Sequence, residues 1–196
     1  MDAGTRRRRG AALEDAILDA AWVELIEQGY ADMTLESVAK RAGTSRPVLH
    51  RRWPSRTKLA TAALGRYLAL NPIDVPDLGS IRSEMAVLLR GLSDRARPDL
   101  TRLIVDMTGD LAESNSNLAD IRGKIANDRL IRTILDRGVE RGEIDPSRLT
   151  PRIVSLPTDL ARHEMLMTLK PLSDEVILEI VEEVVLPLVR CGTVSR

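Results

Sequence analysis

With 196 residues, 29 basic and 29 acidic side chains, the chain has zero formal charge and room for one small domain and one larger one, each with its own core. One cysteine, Cys191, excludes an intrachain disulfide, and no apolar run approaches the roughly 20 residues that span a bilayer. The first ten residues are polar and basic rather than a signal peptide, so a cytoplasmic protein with no membrane partner is expected, and the 2% aromatic content, without Phe, disfavours stacking on single-stranded nucleic acid.

Zero net charge hides an asymmetry. Residues 1–67 hold twelve basic and eight acidic side chains, net +4, which leaves −4 for the remainder, so only the N-terminal part is built to meet a polyanion. Arg6, Arg7, Arg8 and Arg9 form a basic arm; such an arm can lie along phosphates or enter a minor groove, and a solvated tail reads the same way. A first helix is predicted over residues 11–28, with Leu13, Ile17, Ala21, Trp22 and Leu25 on one stripe and Gly29 closing it.

The next stretch, TLESVAKRAGTSRPVLHRRWPSRTK, predicts two short helices, the turn between them and the start of another. Thr34 is a good N-cap with Glu36 in the first turn, and Gly43 stops that helix. Ser45 caps the next, Pro47 sits in its first turn, and Pro54 ends it by disfavouring helix at Trp53, whose indole is expected to pin this short helix against its neighbours. A helix, a tight glycine turn and a second helix make a helix-turn-helix, a DNA-reading unit. From Ser37 to Ile73 there is no acid, while Lys40, Arg41, Arg46, Arg51, Arg52, Arg56, Lys58 and Arg66 fall inside the window. Arg46, Arg56 and Lys58 lie in the first turns of predicted helices, where the macrodipole opposes a cation by about 0.3 to 1 kcal/mol each, unless an anion such as phosphate docks there.

These residues resemble the DNA-binding domain of the TetR family of bacterial transcriptional regulators over about residues 11–67, and the RRWPSR run is similar to actinobacterial members. Gly29, Thr34, Val38, Ala39, Ala42, Gly43, Ser45, Leu49, Trp53, Ser55 and Leu59 fit the pattern. Thr44 departs from it, standing where an aliphatic residue is usual, and so does His50, where a phosphate-contacting tyrosine is usual. An imidazole can change charge near neutral pH, which would make operator affinity more pH-dependent. The resemblance assigns Arg46 and Pro47 to base edges, and Thr34, Thr44, Ser45, His50, Arg51, Arg52, Arg56 and Lys58 mainly to phosphates.

A helix over residues 56–70 leads into NPIDVPDLGS, a proline-rich break. The expected domains are therefore 1–70, with 1–10 as the arm, a linker 71–80, and a helical domain 81–196. Helices are predicted over 81–96, 98–110, 115–141, 147–169 and 173–189, with Pro157 either bending the fourth or marking its true start. The last has a wide apolar face of Val176, Ile180, Val184 and Leu188 among others. With Leu160 and Met165 of the preceding helix, this face suits a four-helix bundle with a second copy, or an ordinary intrachain core. A dimer is also what a single short recognition helix requires in order to read a palindromic operator.

The resemblance implies a small-molecule effector in the C-terminal domain, and Arg102, Asp106, Met107, His163 and Met167 are the adaptable and polar candidates to meet it. No glycine-rich phosphate loop, GxSxG, HExxH or CxxC occurs, so neither an enzyme nor a cofactor is expected. The sequence reading is all-α: an N-terminal three-helix helix-turn-helix DNA-binding domain plus a C-terminal helical ligand-binding and dimerisation domain. Functionally it is a homodimeric repressor of double-stranded DNA released by a small, largely apolar molecule; the alternative is an architectural DNA-binding protein that senses nothing.

Overall fold

The computed structural model describes residues 3–95, 98–113 and 128–190. They pack as two units: the described residues of Met1–Pro72 and Leu103–Ile125 form one, and those of Ile73–Arg102 and Ala126–Arg196 the other. Among the described residues there is no strand, only an isolated antiparallel bridge between Ile144 and Arg190.

In the first unit, α1 (Ala3–Asp32) begins eight residues before its predicted start, because an Ala- and Arg-rich stretch without proline readily extends a helix. The arginine run is therefore helical rather than an arm ahead of the helix. Gly29, at φ 80°, interrupts α1 as its sequence position predicts. Thr34 then opens α2 (Leu35–Arg41) with a reciprocal cap: its hydroxyl accepts from the Ser37 amide at 3.0 Å and the Ser37 hydroxyl accepts from the Thr34 amide at 3.2 Å. The turn out of α2 is a Schellman motif, in which Gly43, at φ 66°, donates to the Lys40 carbonyl and Thr44 to that of Ala39.

Helix α3 (Arg46–Arg52) follows Ser45 and ends at Trp53, which leaves helical geometry before Pro54. Ser55 caps α4 (Arg56–Leu70) by accepting from the Lys58 amide at 3.2 Å. Ile17, Ala21, Leu25, Val38, Leu49, Trp53, Leu59 and Leu64 are buried, and Trp22 stacks on Tyr67 with centroids 4.0 Å apart, joining α1 to α4.

The predicted helix over 98–110 is split into α6 (Pro98–Asp106) and α7 (Thr108–Glu113). The break at Met107 coincides with a local competitor for the backbone, since the Thr108 hydroxyl donates to the Val105 carbonyl at 2.6 Å. Leu103, Met107 and Leu111 are buried, four residues apart on one stripe, in the first unit.

The second unit is built on α5 (Ile81–Arg95), α8 (Asp128–Glu140), α9 (Pro151–Thr168) and a composite last helix. Ile81, Met85, Leu88, Leu89, Ile131, Ile134, Val154, Ala161, Ile177 and Val181 belong to its aliphatic core. Of the predicted helix over 115–141, residues 115–127 lie outside the described residues. The start predicted at 147 moves to Pro151, after a single 3-10 turn (Pro146–Arg148), because Thr150 rather than a residue upstream supplies the cap. Pro157 is thus interior and buried, and gives the Ile153 carbonyl no amide partner. The last helix is α-helical over Asp174–Leu178 (α10), π-helical over Glu179–Val185 and α-helical again over Leu186–Val189 (α11). Pro187 donates no bond and its ring crowds the carbonyl four residues back, a crowding that a wider turn relieves.

A charged network anchors the predicted linker to this second unit. Glu84 is fully buried yet meets Arg141 at 2.9 Å and Arg137 at 3.3 Å, while Arg137 donates to the Val75 carbonyl and Arg141 reaches Asp77. Arg141 also donates to Glu143 at 2.6 Å, and Glu143 accepts from the Ile81 amide, which caps α5.

Candidate nucleic-acid interface

The short α3 buries Leu49 against the first unit's core and exposes Arg46, Pro47, His50 and Arg51. Arg46 and His50 are four residues apart and share a helix face. They line a groove of about 530 Å³ together with Thr34, Glu36, Ser55 and Arg56. Thr34 and Ser55 each use the hydroxyl oxygen as acceptor in a cap, so each hydroxyl proton remains available to a phosphate oxygen. Ser45 occupies the N-cap position of α3 with extended backbone, but its hydroxyl makes no capping bond. Glu36, in the same groove, is the one acid there and works against an anion.

The basic window is less one-sided in three dimensions than in sequence, because the acids of α1 fold back on it. Arg41 donates to Glu24 and Glu27, both at 2.6 Å, Arg66 to Asp15 and Asp19 at 2.6 and 2.7 Å, and Arg52 pairs with Glu14. These carboxylate partners raise Arg41 and Arg66 further above the usual arginine range, and the Arg41 hydrogen bond holds the Glu24 carboxyl below its own. Arg56 is taken up by Asp110. Lys40, Arg46, Arg51 and Lys58 have no ion pair among the described residues.

Bacterial regulatory proteins of the tetR family match this chain over residues 17–63, and the C-terminal domain of tetracyclin repressor-like proteins matches residues 75–184, more than half of the chain. The chain belongs to the TetR family. This TetR-family protein is 29% identical over 194 residues to the DNA-binding transcriptional repressor TetR of Mycobacteroides abscessus, covering 94% of this chain and 97% of the relative. It is 30% identical to the HTH-type transcriptional regulator AqdR of Rhodococcus erythropolis over 71% of this chain and 67% of that one. Among solved structures, the TetR family transcription regulator SCO0332 shares its fold with a TM-score of 0.70 at 22% identity, over 88% of this chain and 96% of that one. The TetR family consists of DNA-binding transcription regulators that act as dimers; it is not an enzyme family.

Several residues singled out in this TetR-family sequence do not line the groove. Arg102 and Asp106 are exposed on α6, and Met107 is fully buried in the first unit's core. His163 and Met167 are exposed on α9. Met165 and Ile180 face the second unit's own core, Leu160, Val176 and Val184 are half-buried, and Leu188 is exposed. Among the described residues no three His, Cys, Asp or Glu side chains are grouped to hold a metal, and no helix is long and apolar enough to cross a membrane.

Asp110 is a residue of this unit that the sequence does not single out. Its carboxylate receives the Arg56 guanidinium, with Nε to Oδ2 at 2.8 Å and Nη2 to Oδ1 at 3.3 Å, and the Tyr30 hydroxyl donates to Oδ2 at 2.6 Å. The signal was present at the other end: a cation in the first turn of α4 calls for an anion, and Asp110 supplies one.

Proposed function

We propose that this TetR-family regulator is a repressor that binds a palindromic operator as a homodimer and leaves it when a small, largely apolar molecule binds its C-terminal domain. The observation that carries the DNA-reading part is the groove beside α3, where Arg46, His50 and the free hydroxyl protons of Thr34 and Ser55 converge. Arg46 and Pro47 read base edges; Thr34, Thr44, Ser45, His50, Arg51, Lys58 and, added from the groove, Ser55 hold phosphates. Two arginines given the same role by sequence, Arg52 and Arg56, have protein carboxylates instead, which argues for a smaller phosphate footprint.

The dimer is supported by apolar side chains left uncovered on the second unit, among them Met167, 68% exposed, Leu188, 39% exposed, Leu166 and Leu178. These residues, with Val176, Val184 and Leu160, are the interface we assign; Met165 and Ile180 stabilise it from beneath. Repression rests on the kinship to a repressor, and an apolar effector on the aliphatic, phenylalanine-free second unit.

The test is transcription in vitro from the promoter nearest the protein's own gene. The protein is expected to lower transcript yield, and a panel of small apolar molecules to contain one that restores it while releasing the DNA. DNA binding without any change in transcript, and with no molecule that releases it, would leave an architectural protein instead.

A further inference from the structure

All three nitrogens of the Arg56 guanidinium have acceptors within the protein. Nε and Nη2 fork onto the two oxygens of Asp110, and Nη1 donates to the Ala31 carbonyl at 2.9 Å. The guanidinium carbon lies 4.6 Å from the centroid of the Tyr30 ring, so its face is covered as well. Tyr30 in turn shares a 2.8 Å hydrogen bond with Thr57 and donates to Asp110. One carboxylate thus gathers the side chains of Tyr30, near the end of α1, and of Arg56 and Thr57, at the start of α4, and Arg56 also binds the Ala31 carbonyl in the last turn of α1.

The two sides of this cluster adjoin, in the chain, two of the segments that line the groove. Tyr30 and Ala31 lead through Asp32 into the lining residues Met33 and Thr34; Arg56 and Thr57 directly follow the lining residue Ser55. Asp110 lies more than fifty residues away in sequence, on α7, which is fixed by the buried Met107 and Leu111. Resting on the reading of this groove as the phosphate-binding side of the operator interface, we infer that Asp110 is a positioning residue for DNA binding: it cross-links these two segments through Arg56 and Tyr30. Arg56 is then a strut and not a phosphate ligand, although it lines the groove. The Thr34 and Ser55 hydroxyls hold the spacing that a phosphate needs because this strut holds the backbone beside each of them.

The strut is tested by operator affinity of the full-length protein over a salt series, for wild type, Arg56→Ala, Arg56→Lys, Asp110→Asn and Tyr30→Phe. The expected result for Arg56→Ala and Asp110→Asn is a loss of about tenfold in affinity at each salt concentration. The salt slope stays unchanged, since no phosphate contact is removed. Arg56→Lys is expected to behave like Arg56→Ala, because an ammonium keeps the charge but cannot fork onto Asp110 and Ala31 together. Tyr30→Phe, which deletes one hydroxyl and keeps the ring, provides a mild version should Asp110→Asn fold poorly, and is expected to weaken binding in the same slope-neutral way.

A slope reduced by about 0.9 per subunit in Arg56→Ala, with Arg56→Lys close to wild type, would make Arg56 a phosphate ligand and overturn the inference. Tighter binding by Asp110→Asn would overturn it too, by making Asp110 a competitor of DNA. If wild type showed no preference among duplexes, the operator reading itself would fail. Thermal unfolding of Arg56→Ala, Asp110→Asn and the double variant then still decides the strut, which requires strongly non-additive losses and is refuted by additive ones.

Discussion

Asp110 carries the clearest electrostatic signature among the described residues. The Arg56 hydrogen bonds, aided by the Tyr30 hydroxyl, hold its carboxyl at about 2, below the usual 3.8. Burial and the Asp110 hydrogen bond push the Tyr30 hydroxyl upward from its usual range. A carboxyl depressed on folding adds stability that is full above its unfolded value and disappears as pH falls through its folded value. Such a shift amounts to about 2.5 kcal/mol at most, and with both partners near one-third exposed we discount it to about 1 kcal/mol. Urea unfolding of wild type and Asp110→Asn is therefore expected to show a gap of about 1 kcal/mol at neutral pH that closes between about pH 4 and pH 2. A gap independent of pH over that interval would show that the carboxylate charge is not what the residue contributes. In the sequence, Arg56 was recognisable as a cation in need of an anion, and DNA was the only anion that local reasoning could offer. The true partner is distant in sequence, and neither periodicity nor capping carries information across that separation.

At the scale of elements, the helix-turn-helix was legible because its boundaries are set by residues a few positions apart. Thr34, Gly43, Ser55 and Pro54 fix the ends of α2, α3 and α4 through caps and dihedral limits that need no tertiary partner. Gly43→Ala places a Cβ at φ 66° and is expected to lower stability by about 1 kcal/mol, whereas Gly65→Ala, within α4 with nothing within 4 Å, is expected to raise it by about 0.5 to 1 kcal/mol. Thermal or urea unfolding of the two variants checks the contrast; equal effects would mean that the turn is not held in the left-handed region. The C-terminal helices were less legible. The break at Met107 and the π-helical widening before Pro187 depend on which carbonyls lose their partners and which neighbours accept the distortion, and for Pro157 the sequence left open whether it bends its helix or starts it. Hydrophobic stripes at 3.6-residue spacing continue through all three without a mark.

At the scale of the molecule, linear charge overstated the basic surface. Five acids of α1 neutralise Arg41, Arg52 and Arg66, a pairing visible only once α1 is laid against α2, α3 and α4. The apolar face of the last helix was likewise read without distinguishing core from surface. Met165 is 4% exposed and Met167 68%, though both lie on the same helix two residues apart. Met167→Asp is therefore expected to yield a folded protein with a weakened dimer, and Met165→Asp to destabilise the fold by several kcal/mol. Analytical ultracentrifugation with circular dichroism separates the two. A Met167→Asp variant that stays fully dimeric at low micromolar concentration would move the interface elsewhere.

The central claim, a sequence-specific DNA reader whose DNA-facing charge comes from the unpaired cations, is tested most directly by binding to the DNA just upstream of the protein's own gene across a salt series. Wild type, Arg46→Ala and Arg66→Ala are compared. We expect wild type to select a palindromic segment and to weaken steeply with salt. Arg46→Ala should lose that selection, whereas Arg66→Ala, whose guanidinium is already paired with Asp15 and Asp19, should keep both selection and slope. Equal binding to every duplex, or no binding even at low salt, would contradict the account.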